Sequence, residues 1–233
     1  MKSKIIFTGG SGRFGKIFKN VKNKYTVYYP SKKELNILSE KSIIKYIKKK
    51  RPKYFIHAAG LSRPMSIHDK DIKKSIKLNI IGTSNVVIAC SLFNVKLIYF
   101  STGYVYPGTK GNYKESNPIK PFNKYAWSKL GGEASVKLYN NSLILRLIMC
   151  EEPFNHKIAY SDIKTNFTFH KDIAKILPKL LKHKGILNVG GKIQTIYSFA
   201  KRFNPKIKKG SGKHYFPKNI SMDISKLNKI IKN

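Results

Sequence analysis

Tyr125 and Lys129 stand four residues apart in Tyr125-Ala126-Trp127-Ser128-Lys129. On a helix that spacing puts both side chains on one face. A phenol titrates near ~10, and an ammonium beside it favours the phenolate. Such a pair can give and take a proton near neutral pH. Upstream, Ser101-Thr102 closes a β-branched and aromatic run, which would put a hydroxyl at the C-terminal edge of a sheet. Thr102, Tyr125 and Lys129 are therefore the candidate catalytic set, and Lys129 could also bond a cofactor ribose. The histidines and the two cysteines, Cys90 and Cys150, show no metal-ligand spacing, so no metal is expected.

A second feature lies near the N-terminus. Thr8-Gly9-Gly10-Ser11-Gly12-Arg13-Phe14-Gly15 follows an apolar run and opens a helical pattern. Glycines 9, 12 and 15 permit a tight turn and let backbone approach a pyrophosphate. The helix start offers free N–H groups to that anion. The position of the loop, between a first strand and a first helix, points to dinucleotide binding. After the second apolar run comes Pro30-Ser31-Lys32-Lys33, with no acid at the place where an NAD site holds a ribose hydroxyl. Ser31, Lys32 and Arg13 suit a 2′-phosphate, so NADP(H) is favoured and NAD(H) is the alternative. The third run ends in Ala58-Ala59-Gly60, small residues under which a flat cofactor could pass.

The elements that must position these groups alternate. Strands are predicted over 4–8, 25–29, 54–58, 96–101 and 143–147, and helices over 14–20, 39–50, 71–93 and 123–139. That order implies βαβ units and an α/β, doubly wound parallel sheet. After Cys150 the pattern loosens into a helix over 170–181, a strand over 185–189 and short helices over 195–203 and 223–231. The expected organisation is a dinucleotide-binding domain over 1–150, its sheet continued by about 169–199, with a small discontinuous substrate lobe from 151–168 and 200–233.

The chain has 233 residues and a formal net charge of +36. Of 47 Lys and Arg residues only Arg13, Arg51, Arg63, Arg146 and Arg202 are Arg. Specific nucleic-acid readers favour Arg for bidentate contacts. Lysines spread along the whole chain suit solvated faces and a general pull on phosphates, not specific nucleic-acid recognition. No uninterrupted apolar run reaches the ~18 residues of a spanning helix. The stretch Ile5-Ile6-Phe7 is too short for a signal peptide. Two cysteines suit a reducing compartment, so a cytoplasmic protein without membrane association is expected.

Taken together, these features resemble the extended short-chain dehydrogenase/reductase superfamily, and within it the dTDP-4-dehydrorhamnose reductase group. The likeness rests on the glycine loop, Glu34-Leu35-Asn36-Ile37, Arg51-Pro52 and the stretch from Ser101 to Gly108. It continues through Pro121 to Glu133, Asn188-Val189-Gly190-Gly191 and Met222 to Leu227. The resemblance implies an NAD(P)-binding Rossmann fold in which Tyr125 protonates a sugar carbonyl as hydride arrives, Lys129 tunes Tyr125 and holds the ribose, and Thr102 bonds the same carbonyl. It implies that Gly9, Gly12, Arg13, Phe14 and Gly15 surround the pyrophosphate. Asn36 and Ile37 would lie near the adenine, Ala58, Ala59 and Gly60 under the cofactor, and Tyr104 and Arg63 against substrate. Asn79 would brace the active-site region. Gly103 departs from the reductases, which usually carry Asp there, and the absence of an acidic pair after Thr102 argues against water elimination.

The function expected is an NADP(H)-dependent reductase of a 4-keto-6-deoxy nucleotide sugar, in deoxysugar and glycan synthesis. The alternatives are an NAD-dependent nucleotide-sugar epimerase and a non-catalytic dinucleotide-binding regulatory subunit. The expected partners are a nucleotide sugar and either a second copy or an enzyme of the same sugar pathway.

Overall fold

The computed structural model describes residues 2–232. Six strands form one parallel sheet: β1 (Lys4–Thr8), β2 (Thr26–Tyr28), β3 (Tyr54–His57), β4 (Lys96–Thr102), β5 (Ser142–Leu147) and β6 (Gly185–Val189). Their spatial order is β6-β5-β4-β3-β1-β2. Along β1 the side chains alternate faces, as the two-residue period requires. Ile5 and Phe7 pack with Phe14 and Phe18 of α1 (Arg13–Lys19), while Ile6 packs with Ile43 and Ile47 of α2 (Glu40–Lys50). Helices therefore cover both faces, as expected for an α/β doubly wound sheet.

The helix expected over 71–93 is one helix, α3 (Ile72–Leu92), with a π turn at Lys77–Ile81 in its middle. Asp71 caps its start by accepting from the Lys74 N–H at 2.8 Å. By length and composition α3 could cross a bilayer. It contains no long unbroken apolar run, because Lys73, Lys74 and Lys77 interrupt the pattern. Its inner face, with Val86, Ala89 and Cys90, is buried in the core of the protein. The remaining helices of more than one turn are α4 (Lys124–Lys137), α5 (His170–Leu180), α6 (Ile196–Lys201) and α7 (Ser225–Lys232). Asn123 caps α4 by accepting from the Ala126 N–H at 2.8 Å.

Beyond β5, three two-stranded ladders pair Met149–Cys150 with Thr168–Phe169, Ile158–Tyr160 with Lys208–Gly210, and Lys164–Thr165 with Gln194–Thr195. They enclose a second apolar cluster in which Phe154, Ile163, Phe169, Phe199 and Ile220 meet Tyr104. Helix α6 belongs to this cluster through Ile196, Phe199 and Ala200. Helix α7 does not: Leu227 is buried in the main core with Leu177 of α5 and Val189 of β6. The closing segment thus divides, its last helix returning to the sheet because Ile224, Leu227, Ile230 and Ile231 present one apolar face.

His57, at the end of β3, is fully buried and shares hydrogen bonds with Thr8 Oγ1 (2.9 Å) and Thr83 Oγ1 (3.2 Å). Burial brings its imidazole down to about 3, and brings His170 down to about 4. The unfolded chain takes up protons near pH ~6.5 that these native side chains refuse. Stability is therefore complete above ~6.5 and is lost as pH falls toward 3, by about 1.4 kcal/mol per unit for each group. Thermal melts between pH 7 and 4 should show the Tm fall. The fall should be shallower in a His57→Gln variant.

Candidate active site

In an all-parallel sheet every strand delivers its C-terminal end to one edge. Chain direction away from β1 reverses there between β1 and β3, and a cleft opens outside that point. Its cavity of about 700 Å³ is in the size range of small-molecule and cofactor pockets. The loop after β1 forms one wall with Gly9, Gly12, Arg13, Phe14 and Gly15, and Ala58, Ala59 and Gly60 after β3 form the floor. Gly9 adopts φ +87°, and a Cβ there would lie 2.8 Å from the Ala58 carbonyl carbon. The close stacking of the two loops therefore excludes a side chain at position 9.

The far wall carries the candidate catalytic groups. Thr102 ends β4, and Tyr125 and Lys129 face the same cavity from the first turns of α4. The Lys129 Nζ lies 4.2 Å from the centroid of the Tyr99 ring, and the Tyr99 hydroxyl donates to the Lys129 carbonyl at 3.1 Å. Burial brings the Lys129 ammonium down to about 7, opposed by Glu133. Burial raises the Tyr125 phenol, while the Thr102 hydroxyl, Arg63 and Arg13 pull it back. The expectation that Lys129 would lower Tyr125 therefore meets the opposite net result. Dehydration of the phenolate outweighs its partners, and Lys129 is itself weakened as a cation by burial. At neutral pH the phenol holds its proton and can donate it.

Asn79 lies in the π turn of α3. Its amide donates to the Leu61 carbonyl (2.9 Å) and to Ser128 Oγ (2.8 Å) and accepts from the Leu61 N–H (2.7 Å). It ties the floor loop to α4, which carries the candidate catalytic pair. The π turn adds a residue to the helical circuit, a distortion common at functional sites. Tyr104 packs edge-on to Tyr125 at 6.4 Å and against Phe122 and Phe216. With Arg63 it lines the open end of the cleft.

Four predicted cofactor contacts are not among the cavity's lining. Ser31 donates from both its N–H (2.8 Å) and its hydroxyl (2.9 Å) to Glu34 Oε2. An acid therefore stands at the end of β2 after all, folded back from three residues on. Ile37 is buried against α3, its carbonyl accepting from Asn85 Nδ2 at 3.0 Å. Asn36 accepts from the Leu38 N–H at 3.1 Å. Lys32 is exposed beside Ser31. Sequence reasoning also missed two groups. Glu151 pairs with Arg13 at 2.8 Å. His170, the first residue of the helix predicted over 170–181, lines the cavity with an Nδ1 that has no hydrogen-bond partner among the described residues. Neither follows a recognisable local pattern; both lie after β5, His170 in the cavity wall and Glu151 on Arg13.

Comparison with known proteins follows the same lines. The family model for the RmlD substrate binding domain matches residues 3–149. Methionine adenosyltransferase 2 subunit beta of Xenopus laevis is 30% identical over 147 residues, covering 59% of this chain and 43% of that protein. The chain thus spans less than half the length of that relative. The spore coat polysaccharide biosynthesis protein SpsK of Bacillus subtilis is 26% identical over 220 residues, covering 85% and 77%. The crystal structure of dTDP-4-dehydrorhamnose reductase from Bacillus anthracis in complex with NADP superposes with a TM-score of 0.87 at 25% identity, covering 98% of this chain and 93% of that one. With the model spanning most of the sheet and both walls of the cleft, this chain belongs to the RmlD substrate binding domain family, within the extended short-chain dehydrogenases/reductases.

Proposed function

We propose that the protein is an NADP(H)-dependent reductase of a 4-keto-6-deoxy nucleotide sugar. The observation that carries this reading is the convergence of Thr102, Tyr125 and Lys129 in a cavity that also contains the glycine loop. The residues present fit a dinucleotide. A glycine-rich loop faces the place of a pyrophosphate, Arg13 offers it a cation, and the Ala58–Gly60 floor leaves height for a flat ring. When bound, the reduced cofactor supplies the hydride. The likeness to a reductase that holds NADP favours the phosphorylated cofactor, with Lys32 and Lys33 exposed near the end of β2 to meet a 2′-phosphate.

Tyr125 gives its phenolic proton to the sugar carbonyl oxygen. Thr102 donates a hydrogen bond to that oxygen and orients it. Lys129 stabilises the phenolate left behind. Tyr104, backed by the inclined rings of Phe122 and Phe216, offers an aromatic contact for the sugar, and Arg63 meets the diphosphate. The ladders beyond β5 form the substrate lobe over them. The identity of the sugar is narrowed at Gly103, where the reductases usually carry Asp. A Cβ at Gly103 would lie 2.6 Å from Ile148 Cγ1 and 2.8 Å from Met222 Sδ. Ile148 and Met222 fill the volume that a side chain would need, so this pocket recognises its sugar without that carboxylate.

A second reading is a dinucleotide-binding regulatory subunit without turnover. The name of the Xenopus laevis relative favours it.

NADPH oxidation with 4-keto-6-deoxy nucleotide sugars separates the two. The expected result is turnover with NADPH exceeding that with NADH, and a loss of ~10²–10⁴-fold in kcat for Tyr125→Phe with cofactor binding retained. Cofactor binding with no turnover would favour the regulatory subunit. At Gly103, restoring the acid should not improve the enzyme. Gly103→Asp should lose about 1–3 kcal/mol of stability through overpacking, measured by denaturant unfolding.

A further inference from the structure

One buried ion pair is not used by the chemistry above. Glu133 lies one helical turn beyond Lys129 and two beyond Tyr125 on α4, and it is 0% exposed. Its Oε1 accepts from Arg146 Nη2 (2.5 Å) and Nε (3.1 Å), and its Oε2 accepts from Ser101 Oγ (2.7 Å). Arg146 is in the middle of β5, and Ser101 immediately precedes Thr102 on β4. The pair extends further: Arg146 Nη1 donates to the Tyr106 hydroxyl at 2.7 Å, which donates to Asn188 Oδ1 of β6 at 2.9 Å. One carboxylate therefore fastens the helix that carries Tyr125 and Lys129 to the strand that carries Thr102.

Stability alone does not account for this arrangement. Two charges taken out of water cost several kcal/mol each, and apolar residues of similar volume often hold a core as well or better. The charge itself has a neighbour, however. The groups facing Lys129 are Tyr125 and Glu133 on its own helix, Tyr99 from β4, His57 from β3 and His68 from the turn before α3. Burial lowers both imidazoles and raises both phenols, so these four are uncharged at neutral pH. Glu133 is the carboxylate in that set.

We propose that Glu133 is a positioning residue of the reaction: clamped between Arg146 and Ser101, it fixes Thr102, Tyr125 and Lys129 relative to one another and supplies the negative charge that Lys129 faces. The inference rests on the reductase reading for its consequence in turnover, but the charge it assigns to Lys129 is measurable without turnover. Without that negative charge the Lys129 ammonium loses its proton at lower pH, and Tyr125 loses the cation that stabilises its phenolate.

The test uses two variants of the whole chain. Glu133→Gln removes the charge but leaves Arg146 buried without a counter-ion. The double variant Glu133→Gln/Arg146→Met removes both charges and keeps the protein foldable if the single variant fails. The first readout is the 13Cε-lysine NMR titration of Lys129, assigned by its loss in Lys129→Met. Its midpoint should fall by about one pH unit in Glu133→Gln, and by less in the double variant, where the opposing charge of Arg146 goes as well. The second is the pH profile of NADPH oxidation. Its Lys129-dependent limb should move down by the same amount, with kcat reduced about 10–100-fold and the KM for NADPH unchanged. A Lys129 midpoint that stays in place in a folded variant overturns the proposal, as does a loss of kcat that is equal at every pH. If the unsubstituted protein turns over no keto sugar, the reductase reading falls, while the NMR midpoint still decides whether Glu133 sets the charge of Lys129.

Discussion

Everything at the cleft depends on one constraint, that the six strands run parallel. Parallel neighbours need a crossover, and the crossovers put helices on both faces and every C-terminal strand end on one edge. Gly9, Ala58, Thr102 and Leu147 are far apart in sequence and share a cavity for that reason alone. The reversal between β1 and β3 then leaves the gap that the glycine loop borders. Register contributes as well. Thr8 pairs with His57 and Thr102 with Leu147, while His57 pairs with Tyr99, so β4 and β5 run three residues past β1 and β3 and set Thr102 above the floor on the far wall.

On that floor the chemistry is set by dehydration. The glycine loop and the Lys129 site both invite anions, but by different means. The loop offers backbone N–H groups and an exposed Arg13 held by Glu151. Lys129 is enclosed by an aromatic ring and an imidazole and is kept near its titration point. Tyr125 is pushed the other way, toward the neutral phenol. A proton donor and a weakened cation side by side suit delivery of a proton to a carbonyl better than abstraction of one from an alcohol.

Much of this was legible in the sequence because it was periodic. The unbroken apolar run Ile5-Ile6-Phe7 marks a strand buried on both faces, the helical spacing of Ile43 and Ile47 marks a buried helix face, and the order of strands and helices fixes the sheet. The glycine loop and Thr102 follow from their places at strand ends. What was not legible depends on side chains that cross between elements. The π turn at Lys77–Ile81 has no local signature; it exists so that the Asn79 amide can reach Leu61 and Ser128. Glu34 folds back on Ser31 through a turn, so reading the four residues after β2 in line missed the acid. His170 reads as a helix start and is one, but that start opens into the cleft.

The Tyr-x-x-x-Lys spacing illustrates the difference between a pattern and a site. In a chain so rich in lysine it recurs at Tyr28/Lys32, Tyr29/Lys33, Tyr46/Lys50, Tyr106/Lys110, Tyr160/Lys164 and Tyr197/Lys201. Lys110, Lys164 and Lys201 are exposed to water, where an ammonium keeps its ordinary hydration and does little to a phenol in front of it. Lys129 is 6% exposed. Burial of a lysine without a reason is costly, and Lys96, equally buried, meets that cost by donating to the Ser142 carbonyl at 3.1 Å. Lys129 has the face of Tyr99 on one side, the field of Glu133 one turn away, and the open cavity on the other. That enclosure, with a cavity on its open side, separates this Tyr–Lys pair from the pairs whose ammonium stands in water.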